Sequence, residues 1–226
     1  MTRPFRFAGG LFRAQSAAAC ADGARQLESA GYDTVLISDH FSPVFFAPIP
    51  AMMAAALATS RLRVGCTVFA NDFRHPATLA KEVATADVLS GGRFEFGFGA
   101  GYQKSEYDRV GIRFGPPAVR VSRFEEALHV IKGLWADGSL TFAGRHYTIT
   151  DYDSQPKPLR RPHPPIFIGG GRRQHQSSDA AVDFYFDLVE GRRTELDATN
   201  SRAHWSRARC GHSAELCRPR CPETLR

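Results

Sequence analysis

Short apolar runs alternate with longer amphipathic stretches along most of this chain, and no other feature narrows its fold so far. Runs of strand length occupy 5–10, 32–38, 62–69, 94–99 and 165–168, bounded by glycine, proline or polar residues. Helix signals lie between them. Ser16 is the N-cap of a helix that stops at Gly31, Pro50 opens an Ala- and Met-rich segment to Ser60, and Pro76 opens another through Leu89 that closes on Gly91-Gly92. Phe124, Leu128, Ile131 and Trp135 recur at i, i+4, i+7 and i+11, one face of a fourth long helix. Strands separated by helices at this spacing pair in parallel with right-handed crossovers, so the chain is α/β, as a barrel or a doubly wound sheet. The rhythm breaks after Asp137. Thr141-Phe142 and 146–149 flank Ala143-Gly144 as a small hairpin inserted near 138–150, and the proline-rich 156–165 must be extended.

Composition excludes several classes. With 226 residues, 43% hydrophobic and 23% charged, the chain can bury one large core, though it is short for a full eight-stranded barrel of about 250 residues. It has no run of about 20 apolar residues to span a bilayer, and the N-terminus lacks the zones of a signal peptide, so a cytoplasmic location is expected. The formal charge of +6 is spread over 19 basic and 15 acidic residues in 1–171 and 10 and 8 in 172–226, with no long basic run. That distribution disfavours nucleic acid as a partner. Five cysteines without repeated spacing imply no disulfide framework, and Cys20 and Cys66 read as buried thiols. Cys210, His212, Cys217 and Cys221 lack the paired short gaps of a zinc site, so no metal is expected.

The second strand run, Thr-Val-Leu-Ile-Ser, ends abruptly in Asp39-His40. Ligands of parallel α/β folds sit outside the carboxyl ends of the strands, and histidine is the side chain whose unperturbed pKa lies near neutrality. The pair therefore reads as part of a site; the plain alternative is a polar pair opening a loop. The run 94–102 ends its strand in glycines at alternate positions, Gly97, Gly99 and Gly101, which lets backbone approach a ligand closely. It also resembles the first motif of S-adenosylmethionine-dependent methyltransferases, but there it ends the first strand of the sheet, and here three strands and three helices precede it. Gly169-Gly170-Gly171 would bind phosphate through its amides if a helix starts there, helped by Arg172 and Arg173; the plain reading is a flexible turn. His75, before Pro76, reads as a local helix cap.

Six segments, taken in order, resemble the bacterial luciferase-like monooxygenase family, and within it the branch that uses the deazaflavin coenzyme F420. They are Glu28-Ser29-Ala30-Gly31-Tyr32-Asp33, Ser38-Asp39-His40-Phe41, Arg74-His75-Pro76-Ala77, Asp87-Val88-Leu89-Ser90-Gly91-Gly92-Arg93, Gly97-Phe98-Gly99-Ala100-Gly101-Tyr102 and Pro164-Pro165-Ile166-Phe167-Ile168-Gly169-Gly170. The resemblance runs from about Phe7 to Gly171. It implies a (β/α)8 TIM barrel of which about five of the eight strands are present, with the cofactor at the C-terminal strand ends. It implies further that Asp39 and His40 lie beside the deazaflavin ring, His40 assisting proton or hydride chemistry. Thr67 and Val68 match a non-prolyl cis peptide that forms a bulge behind the ring, and Gly169, Gly170 and Gly171 match the cofactor-phosphate loop. Tyr102 stands where sugar-phosphate dehydrogenases of the family carry a glutamate, so a sugar-phosphate substrate is not supported. Phe41, Phe45, Phe46 and Phe69 are candidates for apolar walls. The resemblance thus implies an oxidoreductase moving a hydride between F420 and a small-molecule substrate, as a homodimer, outside membranes. The alternatives are an FMN-dependent monooxygenase, a non-catalytic truncated barrel and a methyltransferase.

After about Arg173 the character changes. All ten basic residues from Arg172 onward are arginine, three of the five cysteines fall at 210, 217 and 221, and no apolar periodicity survives beyond Thr194. Only 180–189 keeps the pattern of an element. Out-of-frame translation of a GC-rich gene yields such a composition, so 1–171 is expected as a partial barrel and 172–226 as a frameshifted or disordered tail. Strands one and five would then be open sheet edges.

Overall fold

The computed structural model describes residues 6–12, 14–41 and 46–169. Phe45, Gly170, Gly171 and the segment 172–226 lie outside the described residues. In chain order the elements are β1 (Ala8–Gly10), α1 (Ala17–Ser29), β2 (Thr34–Ile37), α2 (Pro48–Ala58), β3 (Arg63–Cys66), β4 (Phe69–Ala70), α3 (Pro76–Leu89), β5 (Phe94–Gly99), α4 (Lys104–Val110), α5 (Pro117–Trp135), β6 (Leu140–Ala143), β7 (Thr148–Tyr152) and β8 (Ile166–Gly169). No helix among the described residues is long and apolar enough to cross a membrane.

Strand order decides between the two architectures left open by the sequence. β1 pairs with β2, β2 with β3, β3 and β4 both with β5, and β5 with β8, all parallel. With β3 and β4 counted as one wall position and the separate β6–β7 hairpin set aside, neighbours in space are neighbours in the chain, the order of a barrel wall; a doubly wound sheet reverses direction at a switch point. The methyltransferase alternative, which needs the glycine-motif strand first in a doubly wound sheet, falls with it.

The expected single strand over 62–69 is corrected to two pieces of one wall position. Gly65 lies opposite Glu95 and Phe69 opposite Phe98, so between these pairs three residues on one side face two on the other. One residue is inserted at Thr67–Val68, where the peptide bond is cis, and the result is a β-bulge. The Thr67 N–H still reaches the carbonyl of Ile37 at 2.9 Å, which holds the bulge against the end of β2.

Period-two alternation divides each strand between the helix layer and the inside of the wall. On β5, Phe94, Phe96 and Phe98 are fully buried. The Phe96 ring meets Trp135 and the Phe98 ring meets Phe124, both of α5. The other face carries Glu95, Gly97 and Gly99. Paired in register on β8, Ile166 and Ile168 follow the aromatics, and Phe167 and Gly169 follow the glycines. Glu95 accepts from Thr34, Arg6 and Arg63, so a buried carboxylate with two guanidiniums occupies the inside at the N-terminal strand ends.

Side chains of several motif segments tie neighbouring elements together. Oε1 of Glu28 accepts from the successive N–H groups of Ser60, Arg61 and Leu62 at 2.9, 2.6 and 2.9 Å, fixing the α2–β3 turn to α1. Arg93 donates to the carbonyls of Ser90, Leu62 and Ala56, serving the orphan acceptors at the end of α2. Asp87, fully buried, accepts the Arg160 N–H at 2.9 Å and so anchors the proline-rich strap, in which the bonds before Pro156 and Pro162 are cis. Ser16 caps α1 through the Ala19 N–H at 3.1 Å, and His75 Nδ1 accepts the Ala77 N–H at 3.2 Å, both as expected. The hairpin β6–β7 is held to α5 by Glu126, whose carboxylate accepts from the N–H groups of Arg145, His146 and Tyr147.

Candidate active site

β2 delivers the site. Thr34 bonds Glu95 on the inner side and Leu36 lies over Gly65 there, so the same alternation carried past Ile37 sends His40 inward and Asp39 outward. The two neighbours accordingly have different surroundings. The Asp39 carboxylate accepts two hydrogen bonds from Arg74, at 2.7 and 2.9 Å, and a third from the Ala70 N–H at 3.0 Å. Burial opposes the charge on Arg74, but its bonds and charge pairing with Asp39 outweigh that and hold its pKa above the ordinary arginine value. The guanidinium also lies over the Phe69 ring, 5.2 Å from its centroid. Cys66, fully enclosed beside this pair, has its thiol pKa pushed well up, first by burial and then by the Asp39 charge. Asp39 thus braces the bulged segment 67–70 against the end of β2, and its carboxylate is fully engaged in doing so.

His40 meets a partner that the sequence reading missed. Its Nδ1 lies 2.9 Å from Oε2 of Glu106, with the histidine side chain 20% and the glutamate 8% exposed. Glu106 sits on α4, a seven-residue helix whose sequence KSEYDRV carries no apolar period. Two signals for it were present: Gly111, which closes the helix at φ +73°, and the i,i+4 pair Lys104–Asp108. The helix is pinned by Tyr107, a fully buried ring set between a tilted Phe73 and an edge-on Phe114, with centroids 5.0 and 4.9 Å away. Gly101 makes the turn from β5 into α4 at φ +76°, and a Cβ there would run into the Tyr107 hydroxyl. The last glycine of the strand motif is therefore what places Glu106 beside His40.

Val68 fills the inner wall next to them. A Cβ added at Gly99 would come within 2.9 Å of Val68 Cγ2, and one at Gly169 within 2.5 Å. Thr67, Val68 and Gly169 thus come together at the C-terminal strand ends with Asp39 and His40; Gly170 and Gly171 lie outside the described residues. Exposed aromatic rings gather at the same ends: Phe12 after β1, Phe41 after β2 and Tyr102 after β5. Tyr102 stands edge-on to His40, ring centroids 6.0 Å apart, and Phe41 leans on Phe73 at 4.7 Å. Of the other expected apolar walls, Phe46 is exposed, and Phe69 is fully buried in the core. A cavity of about 510 Å³ lies elsewhere, between α2 and α3 and lined by Ile49, Met53, Lys81 and Leu89 with Tyr152. It belongs to the outer helix layer and is remote from the strand ends that carry the polar groups.

Residues 2–214 match the family described as luciferase-like monooxygenase, a span reaching past Gly171 where the six motifs stop. The chain is 34% identical over 167 residues to an FMNH2-dependent dimethylsulfone monooxygenase of Pseudomonas putida, covering 72% of this chain and 45% of that one. It is 35% identical over 161 residues to an F420-dependent glucose-6-phosphate dehydrogenase of Kineococcus radiotolerans, covering 67% and 46%. Among solved structures, an F420-dependent secondary alcohol dehydrogenase in complex with an F420–acetone adduct superposes with a TM-score of 0.64 at 26% identity, over 73% of this chain and 51% of that one. The chain spans about half the length of the curated relatives it matches. Barrel-wall order, a bulge seated on glycines and a histidine at the end of the second strand accompany a match over nearly the whole sequence, and the chain belongs to the luciferase-like monooxygenase family.

Proposed function

We propose that this chain carries the cofactor side of an oxidoreductase that moves a hydride between the deazaflavin F420 and a small organic substrate. One observation carries the reading: an inward-facing imidazole, paired to a carboxylate, stands at the same strand ends as a valine bulge and exposed aromatic rings. Such a set fits a flat heteroaromatic ring, with Val68 as the apolar surface behind it and Phe41 and Tyr102 as walls that exclude water. F420, when bound, supplies the hydride chemistry. The chain's own part is to orient and to handle the proton: His40 holds or receives it, and the Arg74–Asp39 brace keeps the bulged segment in place. Asp39 serves the cofactor through that brace, and in this reading the sequence 169–171, which begins at the last residue of β8, is where the cofactor phosphate binds.

Tyr102 supports a neutral or apolar substrate over a sugar phosphate, although one curated relative is named for glucose 6-phosphate. The second reading is an FMN-dependent monooxygenase, favoured by the relative named for FMNH2. The free, buried thiols of Cys20 and Cys66 fit a reducing, cytoplasmic setting.

Absorbance-monitored titration of the full chain with oxidised F420 and, separately, FMN tests the assignment. Saturable binding of F420 alone is expected, weakened by salt and by Gly170→Asp. Binding of FMN alone replaces the first reading by the second, and binding of neither leaves a non-catalytic barrel.

A further inference from the structure

We propose that Glu106 is a positioning residue that fixes the proton on Nδ1 of His40, leaving Nε2 as the ring nitrogen that accepts or releases a proton. The inference rests on the assignment of His40 as the proton-handling group.

The two residues are 66 apart in sequence, on β2 and α4, yet Nδ1 and Oε2 stand at 2.9 Å in a part-buried setting. An ionised carboxylate can only accept hydrogen bonds, so the ring nitrogen facing it must be the one that bears hydrogen. In water a neutral histidine favours hydrogen on Nε2; the pair with Glu106 reverses that preference and also fixes the ring plane. A base oriented by a third group in this way recurs wherever a side chain must meet a reacting atom in one tautomer.

The rest of the structure shows α4 built to hold this contact. Tyr107, the next residue, is clamped between two rings, and Lys104 and Asp108 pair with each other at 2.6 Å on the exposed side. Tyr102 covers the edge of the imidazole from the same loop. A glutamate that served only to solubilise α4 would point away with Lys104 and Asp108; Glu106 instead turns into the site, 8% exposed.

Long-range proton–nitrogen correlation on full-length protein with 15N-labelled histidine reads the tautomer directly, without cofactor. His40→Gln assigns the signal. The neutral His40 ring is expected as the Nδ1–H form in the parent and in Glu106→Gln, whose amide oxygen still accepts, and as the Nε2–H form in Glu106→Leu. An Nε2–H ring in the parent overturns the proposal, and so does an Nδ1–H ring that persists in a folded Glu106→Leu. If Glu106→Leu does not fold, the parent and Glu106→Gln spectra decide. In protein loaded with F420, Glu106→Leu should lower kcat by about tenfold or more with KM little changed, and Glu106→Gln should restore part of it. If no cofactor binds, the functional assignment fails while the tautomer measurement still decides the role of Glu106.

Discussion

Arg74 grips Asp39 with two parallel hydrogen bonds, 2.7 and 2.9 Å, and so ties the loop before α3 to the end of β2. Such two-pronged guanidinium–carboxylate pairs fix direction as well as distance, which a single ammonium cannot do. Removing the arginine strands a buried carboxylate. Arg74→Ala should therefore destabilise the chain by about 3–5 kcal/mol, and Arg74→Lys by about 1.5–3 kcal/mol. Asp39→Asn combined with Arg74→Met should be milder than Arg74→Ala alone, because no unpaired charge remains. Chemical denaturation midpoints decide; an Arg74→Ala protein as stable as the parent would show the pair to be ornamental.

Val68 and the glycines beneath it make a second test. Gly169→Ala puts a methyl group within 2.5 Å of the valine, and repacking of that kind costs about 1–3 kcal/mol. Val68→Ala in the same chain should return part of that loss, giving a favourable coupling energy in a double-mutant cycle. Strict additivity would mean that the two positions do not touch.

Glu28 supplies a pH test. Hydrogen bonding from the backbone at Arg61 leads the effects that hold its carboxyl below the ordinary value of 4.5, and burial opposes them. A carboxyl depressed in the folded state adds stability that is complete above its unfolded pKa and is lost as pH falls through the folded value. The melting temperatures of parent and Glu28→Gln should thus differ above about pH 4.5 and converge as the pH is lowered beneath it. A constant difference across that window would contradict the assignment.

His40→Ala in cofactor-loaded protein should lower kcat by about 100-fold while leaving the fold intact. Unchanged turnover would reduce His40 to a structural residue, whatever its tautomer.

The parts legible in the sequence are those where periodicity and punctuation agree. Residues 76–89 and 94–99 form the expected helix and strand to the residue, because Pro76, Gly91 and Gly92 bracket them. The bulge at Thr67–Val68 was hidden inside the run Val-Gly-Cys-Thr-Val-Phe, since a continuous apolar run looks the same with or without an inserted residue; only the family resemblance marked it. Asp39 and His40 announced a site, yet the sequence could not say that they face opposite ways, because that depends on where the alternation of β2 ends. Glu106 stayed unread because a helix shorter than two full turns leaves no stripe, and its partner lies 66 residues away.

Inward positions of the wall at Gly65, Gly97, Gly99 and Gly169 carry hydrogen where other barrels carry side chains. Point mutation at these positions is therefore a one-way ratchet: every replacement adds atoms to the lumen and none can take any away. More room in the lumen would have to come from elsewhere, by trimming Val68 or Phe167. Less room could come from the wall itself.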